Sequence, residues 1–277
     1  MRLRGFSPYA SSAAGDIFQL LFGTGQSDAV QAATIGTLGR YENPAVVTNL
    51  FLRWPDLSAP LRRQVISALL TRTERVPQVL TALENGAISP ADLSSVQVNF
   101  LRTYDEPAIS RRALRIFGPL TRFRPAIVAQ FKEALRLRGT ASNGRQTFLA
   151  RCSACHGSAV EDFRLGPDLA AARLKSKDKL LSDIVEPSAE LAPGYETQVL
   201  VSRHRENLIG IVRDQNTSLV TLRQPDGGEL AWPRLNIDAL QPQPWSLMPE
   251  GLEQGMAPQA MADLLEYLTS FPLDRAK

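Results

Sequence analysis

The stretch Phe148-Leu149-Ala150-Arg151-Cys152-Ser153-Ala154-Cys155-His156 decides how the rest of the chain reads, because it holds both cysteines of the protein and one of its two histidines. The order is C-x-x-C-H. Two thiols three residues apart on a helical segment are placed to form one thioether each to the edge of a porphyrin, while the adjacent imidazole turns under the ring and ligates the iron. On this reading Cys152 and Cys155 tether a single haem c and His156 is its proximal ligand.

Three other readings compete. A redox disulfide would expect a βαβ setting, whereas the residues around Cys152 have helical character. A zinc site needs about four ligands, and the one other histidine, His204, stands alone in sequence. Coincidence is the third, and the downstream residues weigh against it.

At 277 residues the length suits about two domains. A hydrophobic share of 44% is enough for ordinary cores. The net charge of +3 is only mildly basic, which gives no reason to expect a nucleic-acid partner. No apolar run has the length of a membrane-crossing helix. Pro8, Ser11, Ser12 and Asp16 interrupt any apolar core of a signal peptide. Covalent haem attachment takes place outside the cytoplasm, so the expected location is periplasmic or otherwise exported. The start at Met1 then implies either the C-terminal part of a longer polypeptide or a cut or misassigned start.

Residues 1–138 are expected to form an α-helical repeat domain. Prolines recur at 44, 60, 77, 90, 107 and 125, with Pro55 and Pro119 off the spacing. Proline suits the first turn of a helix, where its missing N–H is harmless, and Asn43, Ser58 and Ser89 are good caps ahead of three of them. Leu61, Val65, Ile66, Leu69 and Leu70 share one helical face, as do Ala108, Ala113, Leu114, Ile116 and Phe117. One-faced helices need partners, which favours antiparallel pairs stacked with a period of about 33 residues; an irregular bundle is the alternative. Arg111, Arg112, Arg115, Arg122 and Arg124 form a basic cluster, most simply a solvated face.

Gly139-Thr140-Ala141-Ser142-Asn143-Gly144 marks the boundary to a second domain, 139–277, whose first helix starts at Asn143 or Gly144 and runs into the cysteines. A metal-bound histidine usually donates its second ring N–H to a carbonyl or carboxylate. The Pro167 carbonyl in Leu165-Gly166-Pro167-Asp168-Leu169 is a candidate acceptor; a plain Gly-Pro turn is the simpler reading. Between about 195 and 240 the period changes to two, and five short runs predict a small antiparallel sheet or barrel inserted between helices.

A thioether is a common second axial ligand in electron-transfer haems. Of four methionines, Met248 sits in a proline-bounded loop, 92 residues after His156. Met1 is terminal, Met256 precedes the last helix and Met261 belongs to that helix's apolar face. His204, in the charged turn Arg203-His204-Arg205-Glu206, is the rival ligand and reads more simply as solvent-exposed.

Four segments together carry a resemblance: Cys152-Ser-Ala-Cys155-His156, Gly166-Pro167-Asp168-Leu169, Ser246-Leu247-Met248-Pro249-Glu250-Gly251-Leu252 and Ala262-Asp263-Leu264-Leu265-Glu266-Tyr267-Leu268. Residues 139–277 resemble the C-terminal haem-binding domain of large exported proteins of planctomycetes and related bacteria, the membrane-bound dehydrogenase-type haem-binding proteins. The resemblance implies a cytochrome c fold in which Gly144 and Phe148 cross Tyr267 and the Pro167 carbonyl accepts from His156. Such proteins often carry HEAT-like repeats before the haem domain, and before those a sugar-dehydrogenase-like β-propeller, which this chain lacks.

The expected protein is therefore mainly α, a HEAT-like solenoid followed by a cytochrome c domain with a β insert. Its expected function is single-electron transfer as an exported monohaem module, fed by a partner or fused dehydrogenase of the β-propeller kind. Two alternatives stand beside it: a peroxidase-like haem enzyme with a labile sixth ligand, and an interaction scaffold with a structural or sensory haem.

Overall fold

A computed structural model describes residues 25–39, 45–157 and 165–271. Met1, the N-terminal region and the Asn43-Pro44 cap lie outside the described residues. The chain is mainly helical with one five-stranded sheet, and it divides into two compact units: residues 1–119 with 202–207, and 120–201 with 208–277. No helix among the described residues is long and apolar enough to cross a membrane.

In the first unit the helices are α1 (Asp28–Leu38), α2 (Ala45–Leu52), α3 (Ala59–Leu70), α4 (Val76–Glu84), α5 (Ser95–Arg102) and α6 (Pro107–Phe117). Pro60, Pro77 and Pro107 each lie in the first turn of their helix, where no intrahelical partner for the N–H is lost. Pro90 opens a single 3₁₀ turn, and α5 starts five residues later because Ser94 and Gln97 form a reciprocal capping box there.

The face Leu61, Val65, Ile66, Leu69 and Leu70 is buried as the periodicity implies. On α6 the buried stripe is instead Ile109 and Ala113, one turn apart, with Leu114 39% exposed. The reason is packing on two sides: α6 lies against α4 and α5, and α3 against α1 and α4.

The second unit contains α7 (Pro125–Gln130), α8 (Ala141–Arg151), α9 (Ser153–His156), α10 (Lys177–Val185) and α11 (Pro258–Thr269). Its core joins Phe131, Ala134, Phe148, Leu181, Met261, Leu264 and Leu265. Because Phe131 and Ala134 are buried in that core, the units part between Pro119 and Leu120, and a boundary at 138/139 falls inside the second unit.

The same division splits the arginine cluster. Arg111, Arg112 and Arg115 belong to the first unit, while Arg122 and Arg124 are held in the second by the carbonyls of Ser188, Ala189 and Val185 and by Glu253.

The sheet comprises β1 (Thr197–Ser202), β2 (Asn207–Gln215), β3 (Leu219–Arg223), β4 (Glu229–Pro233) and β5 (Ile237–Pro242), in the order β4-β3-β2-β1-β5. Only the short turn Arg234–Asn236 joins β4 to β5, the two edges. A link that short spans about 10 Å, so the sheet must coil until its edges approach, as in a small barrel. Leu200, Leu208, Val220 and Leu222 fill its interior. A bulge between Val212 and Asp214 adds local twist.

Candidate functional site

Helix α8 crosses α11 at a point that admits no side chain. A Cβ on Gly144 would lie 1.9 Å from the Asp263 carbonyl oxygen. The crossing is fixed from its start by the buried Asp263, whose Oδ1 accepts from the Thr140 backbone N–H at 2.7 Å and from Gln259 Nε2 at 2.9 Å. One turn on, Phe148 is buried against Tyr267 and Phe271, with ring centroids 5.4 and 5.3 Å away. These contacts place the end of α8, and with it Cys152, on the core of the second unit.

At Cys152 the backbone leaves the helix (φ −120°) and re-enters one turn at Ser153. The Cys152 carbonyl accepts from both Cys155 N, at 3.1 Å, and His156 N, at 3.0 Å, closing C-x-x-C-H into a single compact turn. Gly157 then ends it at φ +67°, a conformation that favours glycine. Both cysteines are half-buried free thiols. They stand on a helical segment, not in the βαβ setting of a redox pair.

The segment Leu165-Gly166-Pro167 folds back over this turn. Gly166 N donates to the Cys155 carbonyl at 2.9 Å, and His156 Nδ1 lies 3.0 Å from the Pro167 carbonyl oxygen. The imidazole sits against the Gly166 backbone so closely that a Cβ there would lie 2.5 Å from Cε1. Asp168 caps the following 3₁₀ turn by accepting from Ala170 N.

Burial pushes the Cys152 thiol up to about 11, the neighbouring Cys155 adding to the rise and Arg151 opposing it. Burial also raises Cys155. Burial lowers His156, against the opposing effect of its bond to Pro167. Near neutral pH the turn therefore presents two protonated thiols and a neutral imidazole.

Met248 is half-buried and packs on the core cluster that Cys152, Leu169 and Met256 also touch. Its loop is ordered by short bonds: Met248 N donates to Ser246 Oγ at 3.0 Å, and Ser246 N donates to the buried Ser188 Oγ at 3.1 Å. Met261 is fully buried in the core. His204 is exposed, in a turn that groups with the first unit; there Asn207 Nδ2 donates to the Leu70 carbonyl at 3.1 Å.

Sequence reasoning did not find the buried roles of Asp263, Arg124 and Glu253. A charged residue inside an apolar helical face was the one signal for Asp263; Arg124 and Glu253 had none. Comparison with protein-family models and with curated protein sequences gives no match.

Proposed function

We propose that the second unit is a monohaem c-type cytochrome module that passes single electrons, with Cys152 and Cys155 as thioether tethers and His156 and Met248 as axial ligands. The observation that carries the reading is the 3.0 Å approach of His156 Nδ1 to the Pro167 carbonyl, beside two free thiols on one turn. The donor set fits the group. A carbonyl can only accept, so Nδ1 carries the proton and Nε2 keeps its lone pair for a metal. Gly166 leaves the ring its place. When bound, the haem supplies the redox change.

The residues of the chain do the rest. Cys152 and Cys155 fix one porphyrin edge, and the Pro167 carbonyl orients and strengthens His156. The Met248 loop rests on the same apolar cluster as Cys152. With His156 and Met248 both holding it, the haem would supply outer-sphere electron transfer in preference to chemistry at the iron.

Covalent attachment implies an exported chain, and a dehydrogenase, of the sugar-oxidising β-propeller class or fused upstream, is the proposed electron source. In the first unit α3 lies on α1, α4 on α3 and α6 on α4 and α5. That succession supports a HEAT-like stack that would serve as the docking domain.

The test is a visible spectrum of the chain expressed behind a signal peptide in a host that attaches haem. A covalently bound low-spin haem, with a weak far-red ferric band that vanishes in Met248→Ala, is expected. A high-spin spectrum would favour a peroxidase-like enzyme, and absence of covalent haem would leave only the scaffold.

A further inference from the structure

We propose that the part-buried pair Arg124–Glu253 is a clamp that positions the Met248 loop, an inference that rests on reading Met248 as an axial ligand. Glu253 follows Met248 by five residues and is only 3% exposed. Its Oε1 accepts from Arg124 Nη2 at 2.6 Å, while its Oε2 is buried with no hydrogen-bond partner among the described residues.

Arg124 ties two other segments to its own, the end of α10 and the loop of Glu253. It stands directly before α7, its Nη1 donates to the Val185 carbonyl at the end of α10 at 3.0 Å, and its backbone N–H donates to Glu186. The loop is held elsewhere by Ser188 and by Arg151, whose Nη1 donates to the carbonyls of Leu252 at 2.6 Å and Gln254 at 2.8 Å. Arg151 is exposed, so the tie from the part-buried Arg124 to the buried Glu253 is the more enclosed of the two.

A buried ion pair is a weak device for stability alone, because apolar residues of like volume often do as well. What a directional pair adds is a fixed position. Among the described residues Glu253 has one ionic partner, Arg124, and a second oxygen left bare, so the carboxylate is stable in the core only while Arg124 is there. Without the guanidinium, its charge favours withdrawal of the loop toward water. Met248, half-buried and five residues away, moves with it. Arg124 is thus a positioning residue acting through Glu253 on the sulfur of Met248.

The test uses the full haem-loaded chain and compares wild type with Arg124→Ala, Arg124→Lys and Glu253→Gln. Arg112→Ala, which breaks an ion pair in the first unit, is the control. Three quantities are read: the far-red ferric band, carbon monoxide binding to the reduced form, and amide hydrogen exchange of residues 246–256.

Arg124→Ala is expected to lose the band, to bind carbon monoxide at neutral pH and to exchange those amides about a hundredfold faster, the order of effect of stranding one buried charge. Covalent haem remains. Arg124→Lys recovers part of the band, and Arg112→Ala changes none of the three.

A wild-type band together with wild-type exchange in both Arg124→Ala and Glu253→Gln overturns the clamp. Should Arg124→Ala fail to fold, Glu253→Gln alone decides by the same two readings. If the wild-type band does not depend on Met248, the axial assignment fails separately, and the clamp stands or falls on the exchange rates of 246–256.

Discussion

His156 Nδ1 lies 3.0 Å from the carbonyl oxygen of Pro167, eleven residues away, and the imidazole sits close against the backbone of Gly166. One bond fixes the tautomer and the ring plane together. The strap that supplies it is itself tied to the cysteine turn through Gly166 N and the Cys155 carbonyl.

Gly166→Ala therefore acts on the imidazole directly. Its Cβ would sit 2.5 Å from Cε1, and overpacking of this kind costs about 1–3 kcal/mol. On the proposed haem reading the expected result is retained covalent haem and a ferric spectrum shifted toward high spin, together with a lowered unfolding midpoint. Pro167→Ala is the contrast: the carbonyl survives, so the spectrum holds, with about 0.4–1 kcal/mol lost through backbone entropy. Equal spectra for the two variants would contradict the geometry.

Met248 and Met256 both pack on the cluster that Cys152 touches, so the two thioethers are separated by mutation. If Met248 holds the proposed haem, Met248→Ala is expected to abolish the far-red band and admit carbon monoxide to the reduced protein at neutral pH. Met256→Ala should leave both unchanged and lower stability by less than the about 2–5 kcal/mol of a fully buried methionine, since Met256 is half-buried. The reverse pattern in absorption spectra would move the sixth ligand to Met256.

Gly144→Ala tests the helix crossing. Its Cβ would meet the Asp263 carbonyl oxygen at 1.9 Å, and that neighbour is backbone, which does not swing aside. We expect destabilisation of about 3 kcal/mol or more, confined to the second unit. Hydrogen exchange followed unit by unit checks it: amides of α8 and α11 should lose protection while those of α3 and α4 keep theirs.

The pair Arg112–Glu84 ties α6 to α4 at 2.7 Å and gives the first unit a pH dependence. The hydrogen bond from Arg112 holds Glu84 below the ordinary carboxylate range. A group depressed on folding stabilises above its unfolded value, near 4.5, and that contribution is lost as pH falls through the lower folded value. Urea midpoints taken from pH 6 down to pH 3 should thus fall less steeply in Arg112→Ala. The pair is exposed, so the difference will be small.

Much of the local structure was legible in the chain. Pro60, Pro77 and Pro107 mark helix starts because a fixed φ and a missing N–H suit the first turn alone. The strands between residues 197 and 242 follow from a period of two between polar turns. The compact turn from Cys152 to His156 also follows, since its hydrogen bonds close within four residues. Leu114 misled, because a periodicity identifies a face and not the neighbours that cover it. The structural role of Asp263 was not legible, because its carboxylate accepts from the Thr140 N–H at the start of α8, 123 residues before it in the chain.

Propensity, capping and motif spacing act over a few residues, and these local patterns set the elements and the chemical character of the Cys152–His156 turn. The tertiary structure alone decided where the units part, which arginines are surface and which are locked, and what holds the Met248 loop. Phe131 packs with Leu265, Arg124 meets Glu253 across 129 residues, and the Pro167 carbonyl meets an imidazole. Such pairings depend on which surfaces the assembled elements bury together, and that is a property of the folded chain that no local pattern encodes.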